Sequence, residues 1–172
     1  MPLKLKKEKK NWYVLTTRPK AEKQISKRLT QDNIENYLPL HRQLRIWHDR
    51  KKWVEMPLFS CYIFVYIEDK YRSKVFDIGG IVKYVSIAGE VSVLKANEIE
   101  RIKKICSYLG EIEIEKDRMN IGDEVEVIHG HFSGIRGHVF SVGENYKFRI
   151  SIPILGSAAM IPVDKDNIRK IV

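Results

Sequence analysis

Hydrophobic positions fall into two rhythms along this chain, and the change from one to the other divides it. Trp12-Tyr13-Val14-Leu15 is aromatic and β-branched, as a buried strand requires, and Thr16-Thr17-Arg18-Pro19 punctuates it. Pro19 suits the first turn of a helix, and Ala21, Ile25 and Leu29 then recur at helical spacing with Lys20, Lys23, Lys27 and Arg28 on the other faces. Next come Tyr37-Leu38-Pro39-Leu40 and Leu44-Arg45-Ile46-Trp47, then His48-Asp49-Arg50-Lys51 and Lys52-Trp53-Val54-Glu55-Met56, which together predict a strand, a turn and a returning strand. After Pro57, the run Tyr62-Ile63-Phe64-Val65-Tyr66-Ile67 is apolar on both alternating sets, as a strand covered on both faces should be. A short helical segment around Tyr71, Val75 and Ile78 ends at Gly79-Gly80, and Ile81 to Ile87 reads as one further strand. Ile99, Ile102, Cys106 and Leu109 then predict a second long helix that stops at a left-handed cap on Gly110.

The rhythm shifts after that helix. Glu111-Ile112-Glu113-Ile114-Glu115 and Lys116-Asp117-Arg118 match neither side and read as a linker. Beyond them Val125/Val127, Val139 and Val142, Tyr146/Phe148/Ile150/Ile152 and Ile161/Val163 form short period-2 runs divided by Gly or Pro, the pattern of a small barrel. The fold class is α+β: a mixed or antiparallel sheet with flanking helices, then a small all-β barrel. The expected divisions are a basic N-terminus over 1–10, a first domain over 11–110, a linker over 111–118 and a second domain over 119–172.

Composition narrows the class of function. The 172 residues are 44% hydrophobic, enough for a true core, and 31 Lys+Arg against 22 Asp+Glu give a net charge of +9, which favours a polyanionic partner. The run MPLKLKKEKK has no apolar stretch behind it and is expected to be neither a signal peptide nor a membrane span. Cys61 and Cys106 lie in separate apolar contexts, which suggests reduced thiols and a cytoplasmic protein.

Catalytic chemistry finds little to build on. His129-x-His131 with His138 is the nearest approach to a metal cluster, but glycine-bracketed loops often carry solvated histidines, and that is the favoured reading. Glu111, Glu113 and Glu115 fit a linker face better than an acid/base pair, which needs a dry pocket. There is no phosphate-binding glycine loop and no nucleophile elbow, so no cofactor, metal or catalytic residue is expected. Binding surfaces are better represented. Arg18, Lys20, Lys23, Lys27 and Arg28, with the hairpin of Trp47, His48, Arg50, Lys51 and Trp53, combine cations with rings, as single-stranded nucleic acid prefers. On charge alone, a solvated helix face with core tryptophans fits equally well.

Two motifs carry the reading further. Gly122-Asp123-Glu124-Val125-Glu126-Val127-Ile128-His129-Gly130-His131-Phe132-Ser133-Gly134-Ile135-Arg136-Gly137-His138-Val139 resembles a KOW motif, with Gly130, Gly134 and Gly137 supplying positive φ or close approach. Trp12-Tyr13-Val14-Leu15, the basic helix and Pro57-Leu58-Phe59-Ser60-Cys61-Tyr62-Ile63-Phe64-Val65 resemble the N-terminal domain of NusG-type transcription factors, whose pattern is Trp-Tyr-Val, a helix, then Pro-Leu-Phe-Pro-Gly-Tyr-Val-Phe-Val. Ser60 and Cys61 depart from that pattern, which places the local turn in question. Gly79 stands where specialised RfaH-like paralogues carry an Arg, so sequence-specific DNA reading by that residue does not carry over.

The resemblance implies a transcription elongation or antitermination factor. Its first domain would dock on the RNA polymerase clamp helices through Phe59, Tyr62, Phe64 and Tyr84, with Arg18, Lys20, Lys23, Arg28, Arg50 and Lys51 near the non-template DNA of the bubble. Its KOW barrel, SH3-like in the family, would hold ribosomal protein S10 or Rho through Ile154-Leu155 and the surface near Phe132. A monomer is expected, and the high positive charge leans towards a specialised antitermination paralogue. The alternative is a KOW-containing, ribosome-associated RNA-binding protein.

Overall fold

A computed structural model describes residues 9–47, 49–108, 112–116, 122–142 and 145–171, with backbone alone at 113–116, 140–142, 145, 146 and 165. The strands are β1 (Lys10–Thr17), β2 (Glu35–Tyr37), β3 (Leu40–Ile46), β4 (Lys51–Pro57), β5 (Tyr62–Glu68), β6 (Ile81–Tyr84), β7 (Ser86–Ile87), β8 (Glu90–Val91), β9 (Val93–Leu94), β10 (Glu113–Lys116), β11 (Asp123–Val127), β12 (Arg136–Val142), β13 (Asn145–Ile152), β14 (Ser157–Pro162) and β15 (Ile168–Lys170). Helix α1 spans Glu22–Gln31 and α2 spans Ala96–Ser107, and 3-10 helices cover Asp69–Asp77, Pro153–Leu155 and Lys165–Asn167. The architecture is α+β. Among the described residues no helix is long and apolar enough to cross a membrane.

Two compact units emerge: Met1–Leu38 with Ser60–Ala96, and Pro39–Phe59 with Asn97–Val172. In the first, an antiparallel sheet has the order β2-β5-β1-β6, and β9 also pairs with β1. The register Tyr13↔Val65 and Leu15↔Ile63 sorts the side chains, because period-2 strands send alternate residues to opposite faces. Tyr13, Leu15, Ile63, Val65 and Ile67 share one core with Ile25 and Leu29 of α1. Helix spacing of the apolar residues, rather than a side-chain cap, holds α1 here; Ala21 at its N-terminus makes no capping bond.

Pro19 does not open the helix. It sits with Lys20 at the centre of a turn closed by the Ala21 N–H donating to the Arg18 carbonyl at 3.2 Å, and Lys20 takes φ 64°. The residue-19 ring sets the first turn position, and a left-handed residue follows, as a type II turn requires. Ile81 to Ile87 is likewise not one strand. Ala88 and Gly89 both take positive φ, 52° and 85°, a two-residue turn of the kind that matches strand twist, so the chain reverses into the β7–β8 hairpin.

In the second unit β3 and β4 form a separate two-stranded ribbon. The C-terminal strands make a six-stranded antiparallel sheet in the order β10-β14-β13-β12-β11-β15. Phe148, Ile150 and Ile152 of β13 are buried, in keeping with the period read from the sequence, and Arg149 between them is buried as well. Glu113–Lys116, in the segment read as a linker, is instead strand β10 paired with β14. Its Glu-Ile alternation is a strand period, and charges are what a strand at a sheet edge carries. Helix α2 buries Ile99, Ile102 and Ile105, with Cys106 only half-buried. The expected cap at Gly110 lies outside the described residues.

Three glycines of the β11–β12 region have separate reasons. Gly130 and Gly134 take φ 85° and 81°. A Cβ on Gly137 would stand 2.3 Å from the Arg149 carbonyl oxygen and 2.8 Å from the Phe148 ring, so no side chain fits. Gly137→Ala should therefore cost about 2–3 kcal/mol through overpacking against backbone, read as a lowered urea midpoint, whereas Gly89→Ala, with open space around it, should cost about 1 kcal/mol through its backbone alone.

Candidate protein and nucleic-acid interfaces

The face of the first sheet away from α1 is aromatic. β5 places Tyr62, Phe64 and Tyr66 at alternate positions, Trp12 opposes Tyr66 with ring centroids 5.1 Å apart, and Tyr37 opposes Phe64 at 6.4 Å. Tyr62 is half-buried at the start of the strand, while Phe64 is wholly buried. Tyr66, Trp12 and Tyr37 complete a set that the sequence reading left out, although the i, i+2, i+4 aromatics of β5 signal it.

Tyr84 does not join them. Its partner in the register is Leu15, which puts it on the α1 side, edge-on to Tyr13 at 5.7 Å. Its hydroxyl donates to the Arg72 carbonyl at 2.9 Å, and burial pushes its phenol well above the ordinary range. The Arg72 guanidinium lies 5.4 Å from the Tyr13 ring and 5.8 Å from the Tyr84 ring and pairs with Asp69 at 3.2 Å. Tyr13 donates to the same Asp69, and burial followed by that bond raises its phenol too. Tyr84 is thus held in the core. Phe59, in the other unit, is 3% exposed.

The turn before Tyr62 accounts for the sequence departure. Cys61 takes φ 68°, the left-handed conformation in which glycine is at ease, so the chain follows the turn that a Gly-bearing pattern implies and holds a cysteine in it. Two bonds anchor it: the Thr17 N–H donates to the Cys61 carbonyl at 2.8 Å, and the Cys61 N–H donates to the Glu22 carboxylate at 2.8 Å. Glu22 is 4% exposed, so a buried carboxylate of α1 fixes where Tyr62 emerges.

Arg18, Lys20, Lys23, Arg28, Arg50 and Lys51 are all exposed. They are not one stripe. At about 100° per residue, Lys23 and Arg28 are about 140° apart around α1, and Arg28 reaches towards Gly79, while Arg50 and Lys51 are at the end of the ribbon, where Trp47 and Arg50 exchange backbone bonds of 2.8 and 3.3 Å. Trp47 and Trp53 are 57% and 60% exposed, so the tryptophans are not core residues.

In the second unit Phe132 is 7% exposed because Tyr108 at the end of α2 packs on it, with centroids 5.0 Å apart. His131 Nε2 meets the Lys104 carbonyl at 2.7 Å and the Ser107 hydroxyl at 3.3 Å. A cavity of about 150 Å³ beside them is lined by Val127, His129, Phe148 and Ile161 among others. Ile154 is half-buried and Leu155 is buried, in a 3-10 turn that ends on Gly156 at φ 56°. Among the described residues no group of three His, Cys, Asp or Glu side chains converges as a metal site.

These features define an α+β chain whose antiparallel sheet, carrying a one-sided helix and an aromatic reverse face, is followed by an all-strand C-terminal sheet. Residues 10–103 match the family model described as "Transcription termination factor nusG", more than half of the chain, and the chain belongs to the NusG family. That is a family of non-enzymatic transcription factors. NusG of Thermotoga maritima, solved for its domain interaction, shares the fold with a TM-score of 0.60 at 20% identity, over 95% of this chain and 98% of that one. The MjSpt4:Spt5 complex in conformation B matches at 18% identity over 93% of this chain and 96% of that one, but with a TM-score of 0.28. Comparison with curated protein sequences returns no match.

The ribbon and α2 meet at His41. A hydrogen bond with the Cys106 backbone supports its charged form, but burial dominates and lowers its pKa from the usual 6.5. The folded state therefore favours neutral imidazole, so the stability this group contributes is full above 6.5 and is lost as pH falls through the lower folded value. The melting temperature should fall between about pH 7 and pH 5, and His41→Asn should fall less steeply over that window.

Proposed function

We propose that this chain is a transcription elongation and antitermination factor that docks on the clamp helices of RNA polymerase and favours the elongating enzyme. The observation that carries the reading is the aromatic face of the β2-β5-β1-β6 sheet, which comes to the surface at Tyr62 beside a turn pinned by Glu22. Tyr62 makes the contact, and Phe64 supports it from beneath. Phe59 flanks it in sequence, and Tyr84 acts from the core by holding Arg72. Such docking works by population shift, since a ligand that binds the paused enzyme less well disfavours it.

Arg18, Lys20, Lys23 and Arg28 contact exposed non-template DNA, and Arg50 and Lys51 extend that contact from the ribbon. The six-stranded C-terminal sheet is the KOW barrel, and its Ile154-Leu155 turn and the surface near Phe132 receive ribosomal protein S10 or Rho. The positive charge of +9 supports a specialised antitermination paralogue working in the cytoplasm as a monomer.

Tyr62→Ala should weaken binding to purified polymerase by about 2 kcal/mol, the scale of an interface hot spot, and leave the circular dichroism spectrum intact. Unchanged affinity would exclude that face. Co-purification must bring down polymerase subunits; recovery of ribosomal subunits with rRNA instead would support the ribosome-associated alternative. Neutralising Arg18, Lys20, Lys23 and Arg28 together should lower the salt slope of binding to a polymerase–DNA scaffold by up to about 0.7 per lost single-strand contact, with affinity for polymerase lacking DNA unchanged.

A further inference from the structure

The β3–β4 ribbon has two chemically distinct faces. In the register Leu44↔Trp53, Ile46↔Lys51 and Arg42↔Glu55, one face carries Leu44, Ile46 and Trp53, exposed by 41%, 75% and 60%, with Lys51 opposite Ile46 at its outer end and the Arg42–Glu55 ion pair at 3.4 Å at its base. The intervening residues occupy the reverse face, where Arg45 stands directly opposite Lys52 and Gln43 opposite Val54. Both cations are exposed, and among the described residues neither has an acidic partner. Like charges directly across a ladder destabilise a strand pair. A two-stranded ribbon is already marginal without further packing, so this pair works against its own strand until an anion sits between the two side chains.

We infer that Arg45 and Lys52 form a clamp for a phosphodiester of a nucleic-acid backbone. The inference rests on the nucleic-acid reading of the ribbon above and relocates its electrostatic centre from the tip, where Arg50 lies 3.9 Å from Asp49, to the reverse face one pair in from the strand ends. An acidic peptide would satisfy the charges as well, but the rings next to the clamp favour nucleic acid. Trp53 follows Lys52 and projects to the opposite face, and Trp47 lies at the tip, both exposed. A strand gripped at Arg45 and Lys52 can thus turn over the ribbon edge and stack a base on an indole, whereas a peptide carboxylate brings nothing for those rings.

The test compares the full chain with Arg45→Gln/Lys52→Gln and with Arg50→Gln/Lys51→Gln, using a labelled DNA single strand, the matching duplex and the RNA of the same sequence at several salt concentrations. The clamp variant should lose at least about tenfold in affinity and lower the salt slope by about 1.4 on single strands or about 1.8 on duplex. Whichever probe shows the larger drop identifies the natural source of the phosphodiester. At low salt the free clamp variant should melt at or above the wild-type temperature, since a repulsion has been removed. Loss confined to the Arg50/Lys51 variant would overturn the clamp while leaving the nucleic-acid reading of the ribbon intact. No loss in either variant would overturn both. Wild-type binding to poly-glutamate as tight as to DNA, abolished by the clamp substitutions, would also overturn the assignment in favour of an acidic protein.

Discussion

The pairing of β1 with β5 sorts the first unit of the molecule. From Lys10↔Glu68 to Thr16↔Tyr62 it runs without a slip, and a slip of β5 by one residue against β1 would turn its side chains over to the opposite faces. Ile63 and Val65 would then leave the α1 core, and Tyr62, Phe64 and Tyr66 would enter it. The aromatic face is therefore the complement of the helix-packed face, and the two were not free to be set separately. Tyr84 follows the same logic, since its place beside Leu15 assigns it to the core whatever its side chain could do at a surface.

Strain and burial concentrate at the start of β5. A non-glycine residue in the left-handed region costs about 1–2 kcal/mol, and a buried carboxylate must have its lone pairs satisfied. Cys61 and Glu22 answer one another: the carboxylate takes the Cys61 N–H, and the bond helps hold the residue in its unfavourable conformation. The helix thereby does more than cover the sheet. It sets the direction in which the chain enters β5.

Much of this was legible in the residues. The strand at Trp12–Leu15, the α1 face of Ile25 and Leu29 and the central strand at Tyr62–Ile67 follow from periodicity, because each buries a set of apolar positions, whereas the exposed ribbon follows from two apolar-bearing runs divided by a polar turn. What escaped were features set by partners distant in sequence. The Glu113–Lys116 strand exists only because β14 is available to pair with it, and the reversal at Ala88-Gly89 breaks a run whose composition alone favours one strand. At the candidate interfaces, residue types pointed to aromatics and cations, but grouping them needed the register. Tyr62 and Phe64 share a face; Tyr84 lies on the other.

The ribbon also bears on how the protein behaves in a crowded solution. β3 and β4 pair only with each other among the described residues, so each leaves one edge of unpaired backbone groups, and exposed apolar residues sit nearby. Such an edge invites a strand from another copy. Two ribbons brought edge to edge would align their Arg45 and Lys52 rows, stacking four cations at close range and opposing the zipper that the backbone would otherwise form. Raising the salt screens that opposition, so the protein should keep its copies apart best at low ionic strength, and prolonged storage at high salt is where chain-to-chain strand pairing would begin.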